Sequence, residues 1–171
     1  MSKFEGKIRT TSMEDLPAVK KILSAWLSSE EVIHYLGFIE DSIAHAIESL
    51  IYDSNYLVAE TKDNEVVGVL GYRKPIPKII QFTSTENPAE LNMLYVSPEK
   101  RGGHGVGTAL VNEMEKNLKT KKYTEIVIRS AKRFEEVGWG FYDKLPGFKR
   151  VGLMQQTSDN EEESQIWHKI I

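Results

Sequence analysis

Residues Glu90 to Leu110 read Glu-Leu-Asn-Met-Leu-Tyr-Val-Ser-Pro-Glu-Lys-Arg-Gly-Gly-His-Gly-Val-Gly-Thr-Ala-Leu, and helical spacing continues beyond them. A strand therefore runs through a glycine-rich turn into the N-terminus of a helix. Gly102, Gly103, Gly105 and Gly107 carry no side chains, so the backbone there can take positive φ and aim successive N–H groups at one point. The helix that follows adds the positive end of its dipole. Such a turn is built to hold an anion, and phosphate is the obvious guest.

The spacing then separates the known phosphate-binding turns. A Walker-type loop places Lys before its Ser or Thr, whereas Gly107 precedes Thr108 here. A dinucleotide fingerprint opens a first βαβ unit, but this turn lies past mid-chain and runs Gly-X-Gly-X-Gly from Gly103. A Rossmann-type oxidoreductase is thereby weakened.

Glu90, Leu94, Val96, Pro98, Arg101, Gly105 and Gly107 instead resemble the core pattern of the GCN5-related N-acetyltransferase (GNAT) family: an acidic residue opening a strand, a Leu-X-Val-X-Pro exit, an Arg, and Gly-X-Gly. Phe141-Tyr142-Asp143-Lys144-Leu145-Pro146-Gly147-Phe148 is similar to the family's Phe-Tyr-Glu-Lys-Leu-Gly-Phe helix exit. The chain departs from the pattern at three places. There is one more residue between Arg101 and Gly105, Pro146 precedes Gly147, and Glu135 stands where the family often has Asn.

The 171 residues suit one domain, 1–171, with enough apolar content for a core without disulfide or metal staples. There is no Cys, hence no thiol nucleophile, disulfide or Cys-based zinc site. The four His, at 34, 45, 104 and 168, show no metal-ligand spacing, so no metal is expected. The N-terminus is polar and no apolar run reaches membrane-spanning length, which reads as a cytoplasmic protein with no membrane partner. A net charge of -3 without a basic block argues against a nucleic-acid partner.

In chain order, Lys7 to Thr10 reads as a strand, and Ser12 with Asp15 as the cap of a helix carrying Leu16, Val19, Ile22, Leu23, Trp26 and Leu27 on one face. A second helix is expected from Asp41, with Ile43, Ile47, Leu50 and Ile51 at helical spacing, after an irregular Ser28 to Glu40. Tyr56 to Glu60 and Val66 to Arg73 form a hairpin through Asp63-Asn64, and the proline-bearing Lys74 to Ala89 is a loop. Val106, Leu110, Met114 and Leu118 line a helix, and Ile126 to Ile128 is a buried parallel strand. Glu135 to Leu145 is a last helix, and Phe148 to Gln155 and Gln165 to Ile170 close the sheet around the acidic turn Ser158 to Glu163. The order gives an α/β (α+β) fold, a mixed sheet with helices on both faces. The family resemblance adds a central splay of that sheet.

Acetyl transfer from a thioester to an amine needs a deprotonated amine, donors for the tetrahedral oxyanion and a proton for the leaving thiolate. The resemblance implies acetyl-CoA as co-substrate, Glu90 taking the amine proton through water, and Tyr142 near the cofactor sulfur as proton donor. It also implies that the Leu94 N–H meets the thioester carbonyl and the Val96 N–H the pantetheine arm, on a strand that includes Tyr95. Arg101, Gly102, Gly103, His104, Gly105, Val106, Gly107 and Thr108 would hold the phosphates. Lys100, Lys132 and Arg133 are weaker phosphate candidates, and Trp26, Trp139 and Trp167 read as core.

The reading is an acetyl-CoA-dependent N-acetyltransferase acting on a primary amine, in a small molecule or in a peptide or protein, by direct attack. Its rivals are transfer of a longer acyl group and a non-catalytic acyl-CoA-binding module. In the family fold the acceptor enters opposite the cofactor, which makes Ser28 to Glu40, Lys74 to Ala89 and Ser158 to Glu163 the candidate walls. The acidic run Asp159, Glu161, Glu162 and Glu163 is a candidate attractor for a cationic amine. The sequence leaves the identity of the amine and the choice between monomer and homodimer open.

Overall fold

The structure, a computed structural model, describes residues 3–45, 53–155 and 162–171. Its strands are β1 (Lys7–Thr10), β2 (Asn55–Glu60), β3 (Val66–Arg73), β4 (Pro88–Val96), β5 (Glu125–Ala131), β6 (Lys149–Met154) and β7 (Ser164–Ile170). The helices are α1 (Leu16–Ser24), α2 (Ser29–Ala44), the single turn α3 (Pro77–Ile80), α4 (Val106–Thr120) and the short α5 (Gly140–Tyr142). The strands form one mixed sheet in the order β1-β2-β3-β4-β5-β7-β6. β2 runs antiparallel to both β1 and β3, β4 and β5 are parallel, and β7 runs antiparallel to both β5 and β6. The expected α/β fold with its mixed sheet is the one observed.

By contacts the chain divides into two compact units, one of Met1–Arg73 and Met93–Lys116, the other of Lys74–Asn92 and Asn117–Ile171. In the first unit, α1 and α2 bury Val19, Ile22, Leu23, Val32 and Ile39 against Tyr56, Val58, Val69 and Met93 of the sheet. Arg9 on β1 joins this unit's entry turn to its sheet. Its guanidinium forks onto Asp15 at 2.7 and 2.8 Å, and its Nε donates to Glu60 of β2 at 2.6 Å. Asp15 also accepts from the Ser12 N–H at 2.8 Å, which is the expected cap, although it closes a 3-10 turn, Met13–Asp15, just ahead of α1.

Three expectations need correction. α2 starts at Ser29, twelve residues before Asp41, because Ser28 and Glu31 form a capping box, with the Glu31 N–H on Ser28 Oγ and the Ser28 N–H on Glu31 Oε2. Val32, Leu36, Ile39 and Ile43 then supply its apolar face. The stretch Ser28 to Glu40 is therefore helical, and of the second helix's expected positions, Ile47, Leu50 and Ile51 lie outside the described residues. The loop Lys74 to Ala89 contains α3, where Pro77 sits in the first turn and Ile79 is fully buried. The last helix is broken into a π turn, Glu135–Trp139, and one α turn ending at Tyr142, since Gly138 and Gly140 weaken the regular ladder.

In the second unit Ile79 packs with Val127, Met154 and Ile166 on one sheet face. Glu125, with no exposed surface, ties the same unit together by accepting from the Ser84 and Thr85 N–H groups at 2.8 and 3.0 Å and from His168 Nδ1 at 2.7 Å. Among the described residues no helix is long and apolar enough to cross a membrane, and no group of three metal-binding side chains is assembled.

The Asp15 carboxyl is held below the usual carboxylate range chiefly by the Arg9 guanidinium, and that of Glu60 by Lys7 and then Arg9. A lowered folded pKa contributes stability that is complete above the unfolded value, about 4 for these groups, and is lost as pH falls through the folded one. Arg9→Met should therefore be less stable than the wild type at pH 7 in urea denaturation, with a gap that narrows below about pH 4. An equal gap at pH 3 and pH 7 would show that Arg9 acts through packing alone.

Candidate active site

The glycine turn belongs to the first unit. β4 leaves the sheet at Val96, the Ser97 N–H donates to Val67 O at 2.9 Å, and a 3-10 turn over Pro98–Lys100 follows. Gly102, Gly103 and Gly105 all have positive φ, at 69°, 94° and 72°. These conformations are strained for residues with a Cβ, which is the reason for glycine at these positions. A Cβ at Gly102 or Gly103 would meet no atom within 4 Å, so the backbone of the turn faces open space. The Gly105 carbonyl accepts the first helical bond, from Ala109 at 2.9 Å, and α4 runs for 15 residues behind it. Exposed N–H groups at the head of such a helix fit a phosphate-bearing ligand.

Two residues fix the turn from beneath. Trp26 Nε1 donates to Val96 O at 2.9 Å, and Arg101 lies over the Trp26 ring at 5.2 Å. Trp26, expected in the core, is half-buried and clamps the strand exit, a role that leaves no mark in local sequence. On β3, a Cβ at Gly68 would stand 2.9 Å from Val106 Cγ1 and 3.1 Å from Leu110 Cδ1, so the missing side chain lets the first turns of α4 press onto the strand. Leu94, Tyr95 and Val96 are half-buried, with Tyr95 edge-on to Tyr35 at 6.3 Å, and His104 is exposed.

Glu90 and Tyr142 belong to the second unit. Glu90 is registered with Val127 of β5 and is only 1% exposed, so it is no solvated strand-end carboxylate. Its Oε2 accepts from the Ile76 N–H at 3.3 Å. Lys78, the second residue of α3, is in electrostatic reach of both Glu90 and Arg129, and burial followed by Arg129 pulls its ammonium below the usual lysine range.

Tyr142 is buried against Phe141 and Trp167, with ring centroids at 5.4 and 5.1 Å. Trp167 is itself held by Asp143, which accepts from its Nε1 at 2.9 Å and binds Arg150 in a fork at 2.8 and 2.7 Å. Burial pushes the Tyr142 phenol well up. It therefore keeps its proton at every physiological pH, and is better suited to donating a hydrogen bond than to releasing the proton fully. Trp139 and Trp167 are core, as expected.

Of the weaker phosphate candidates, Lys132 is engaged locally with Glu135 at 2.5 Å and Arg133 with Glu162 at 3.4 Å. Glu162 is thus used within the unit, while Asp159 and Glu161 of the acidic run lie outside the described residues.

Gly68→Ala should force α4 off β3 and lower stability by about 1–3 kcal/mol through overpacking. Hydrogen exchange should then report faster amides in the first turn of α4, whereas unchanged protection there would mean that the sheet absorbs the methyl group.

The acetyltransferase (GNAT) family model matches residues 19–148. A comparison with curated proteins finds no match. Among solved structures, the chain is similar to a GNAT-family protein from Desulfovibrio desulfuricans, at 18% identity over 96% of this chain and 98% of the other, with a TM-score of 0.76. It is similar to the PaiA N-acetyltransferase of Thermoplasma acidophilum in complex with coenzyme A, at 24% identity, 96% and 98% coverage and a TM-score of 0.66. It also resembles an aminoglycoside 6'-acetyltransferase type Ii, at 20% identity, 96% coverage of each chain and a TM-score of 0.70. With a strand, a glycine turn of positive φ and a 15-residue helix inside the matched segment, the chain belongs to the acetyltransferase (GNAT) family.

Proposed function

We propose that the protein is an N-acetyltransferase that uses acetyl-CoA to acetylate a primary amine by direct attack. The observation that carries this is the exposed turn of positive-φ glycines at the head of α4, within a chain of this family. Support for the cofactor also comes from the similar fold crystallised with coenzyme A, and support for an amine acceptor from the aminoglycoside enzyme of similar fold.

In this reading the N–H groups from Arg101 to Thr108 hold the phosphates, and the backbone of Leu94, Tyr95 and Val96 binds the rest of the cofactor. Acetyl-CoA, when bound, supplies a thioester carbon open to a nucleophile. The chain's own task is then proton traffic. Glu90 takes the proton of the incoming ammonium, directly or through water, and Tyr142 offers its hydroxyl proton to the sulfur that leaves. With no Cys in the chain, no acyl-cysteine intermediate is formed. The protein is assigned to the cytoplasm on the same reading.

An alkylamine has a pKa near about 10.4, so about one molecule in a thousand is neutral at pH 7.4 and a base that captures the proton recovers much of that loss. Glu90→Gln should lower kcat/KM most at neutral pH and be partly rescued towards pH 10. A wild-type rate and pH profile in this variant would put the base elsewhere.

Tyr142→Phe keeps the ring in its aromatic cluster and removes the donor. Turnover should fall tens-fold or more, up to the roughly 10² to 10⁴ range of general acids, while affinity for coenzyme A stays nearly constant. Full kcat, with chemistry shown to be rate-limiting, would make Tyr142 structural only. Gly107→Glu places a carboxylate in the phosphate-binding turn and should abolish coenzyme A binding by calorimetry. Unchanged affinity in the folded variant would remove the basis for the cofactor assignment.

A further inference from the structure

Arg129 stands on β5 two residues past Val127, so it projects from the same sheet face as Val127 and its registered partner Glu90. With a strand rise of about 3.3 Å per residue and strands about 4.8 Å apart, its Cα lies about 8 Å from that of Glu90. The side chain is half-buried, and its guanidinium makes no hydrogen bond or ion pair with any described residue. This is unusual within the unit, where Arg133 and Arg150 each hold a carboxylate. A guanidinium partly withdrawn from water without a counterion is costly, and its planar fork matches a carboxylate in bidentate fashion. Lys78 adds a second positive charge beside it.

One buried carboxylate and two neighbouring cations on a single sheet face make a complement to a molecule with an ammonium at one end and an anion at the other. We infer that the acceptor is a primary amine that also carries a carboxylate a few bonds away, with Glu90 facing the ammonium and Arg129, assisted by Lys78, facing the carboxylate. Polycationic amines would be repelled by the same pair. This rests on the acetyltransferase reading above and narrows it to zwitterionic acceptors of the amino-acid type.

The test uses pairs that differ in charge and hardly in shape or amine basicity: 4-aminobutyrate against 4-aminobutanamide, and 6-aminohexanoate against 6-aminohexanamide, with cadaverine as a dication. Charge-assisted hydrogen bonds should give the carboxylates an advantage in kcat/KM of about 10- to 100-fold over the amides, with cadaverine poorest. Arg129→Met should bring each ratio close to one. No hydrogen bond or ion pair to a described residue is lost with the guanidinium, and an unchanged urea midpoint checks that the variant is folded. If the wild type acetylates amides and carboxylates equally well, or Arg129→Met keeps the preference, the inference falls while acetyl transfer stands. If no amine is acetylated, the acetyltransferase reading is the one in question, and thermal denaturation at saturating coenzyme A still decides this site. 4-Aminobutyrate should then raise the Tm of the wild type and not of Arg129→Met, and equal or absent shifts overturn the proposal.

Discussion

A carboxylate taken out of water has to be compensated, and among the described residues four are buried: Asp15, Glu60, Glu90 and Glu125. The first two are met by Arg9 and Lys7, which fastens the β1–β2 edge to the turn that starts α1. Glu125 is met by two backbone N–H groups of the β3–β4 connection and by His168, which fixes that connection against β5 and β7. Burial alone would raise the Glu125 carboxyl, but these donors together hold it below the usual range. In each unit the cost of burial is turned into a constraint on where loops can lie.

Glu90 is handled differently. Its Oε2 accepts from the backbone N–H of Ile76 at 3.3 Å, and it shares with Arg129 the neighbourhood of Lys78. Glu90 and Glu125 are both buried on strand positions of one unit, and different neighbours surround them.

The glycine turn obeys another constraint, that of backbone conformation. Three residues of positive φ within four positions, Gly102, Gly103 and Gly105, are strained for ordinary side chains, and the helix behind them must come close to the sheet, which Gly68 allows. Trp26 adds a hydrogen bond to the strand exit and a ring under Arg101. The turn is thus held by groups well removed from it in the chain.

Much of the fold was legible in the sequence because its signals are local. The strands at Lys7–Thr10 and Val66–Arg73, the glycine turn and the start of α4 follow from periodicity and from residues that permit few conformations. The capping box at Ser28 and Glu31 is equally local, and the start of α2 is masked in the sequence by a polar first turn ahead of Val32, Leu36, Ile39 and Ile43. Glu90 and Tyr142 could be named from their motifs, but not their surroundings. That Glu90 is buried rather than solvated, that Tyr142 is caged by Trp167 and Phe141, that Trp26 clamps β4 and that Arg129 shares a sheet face with Glu90 all depend on contacts between residues distant in sequence. Sequence determines which conformations the chain can take locally; burial and charge neighbourhood are properties of the packed sheet, and only the tertiary structure decides them.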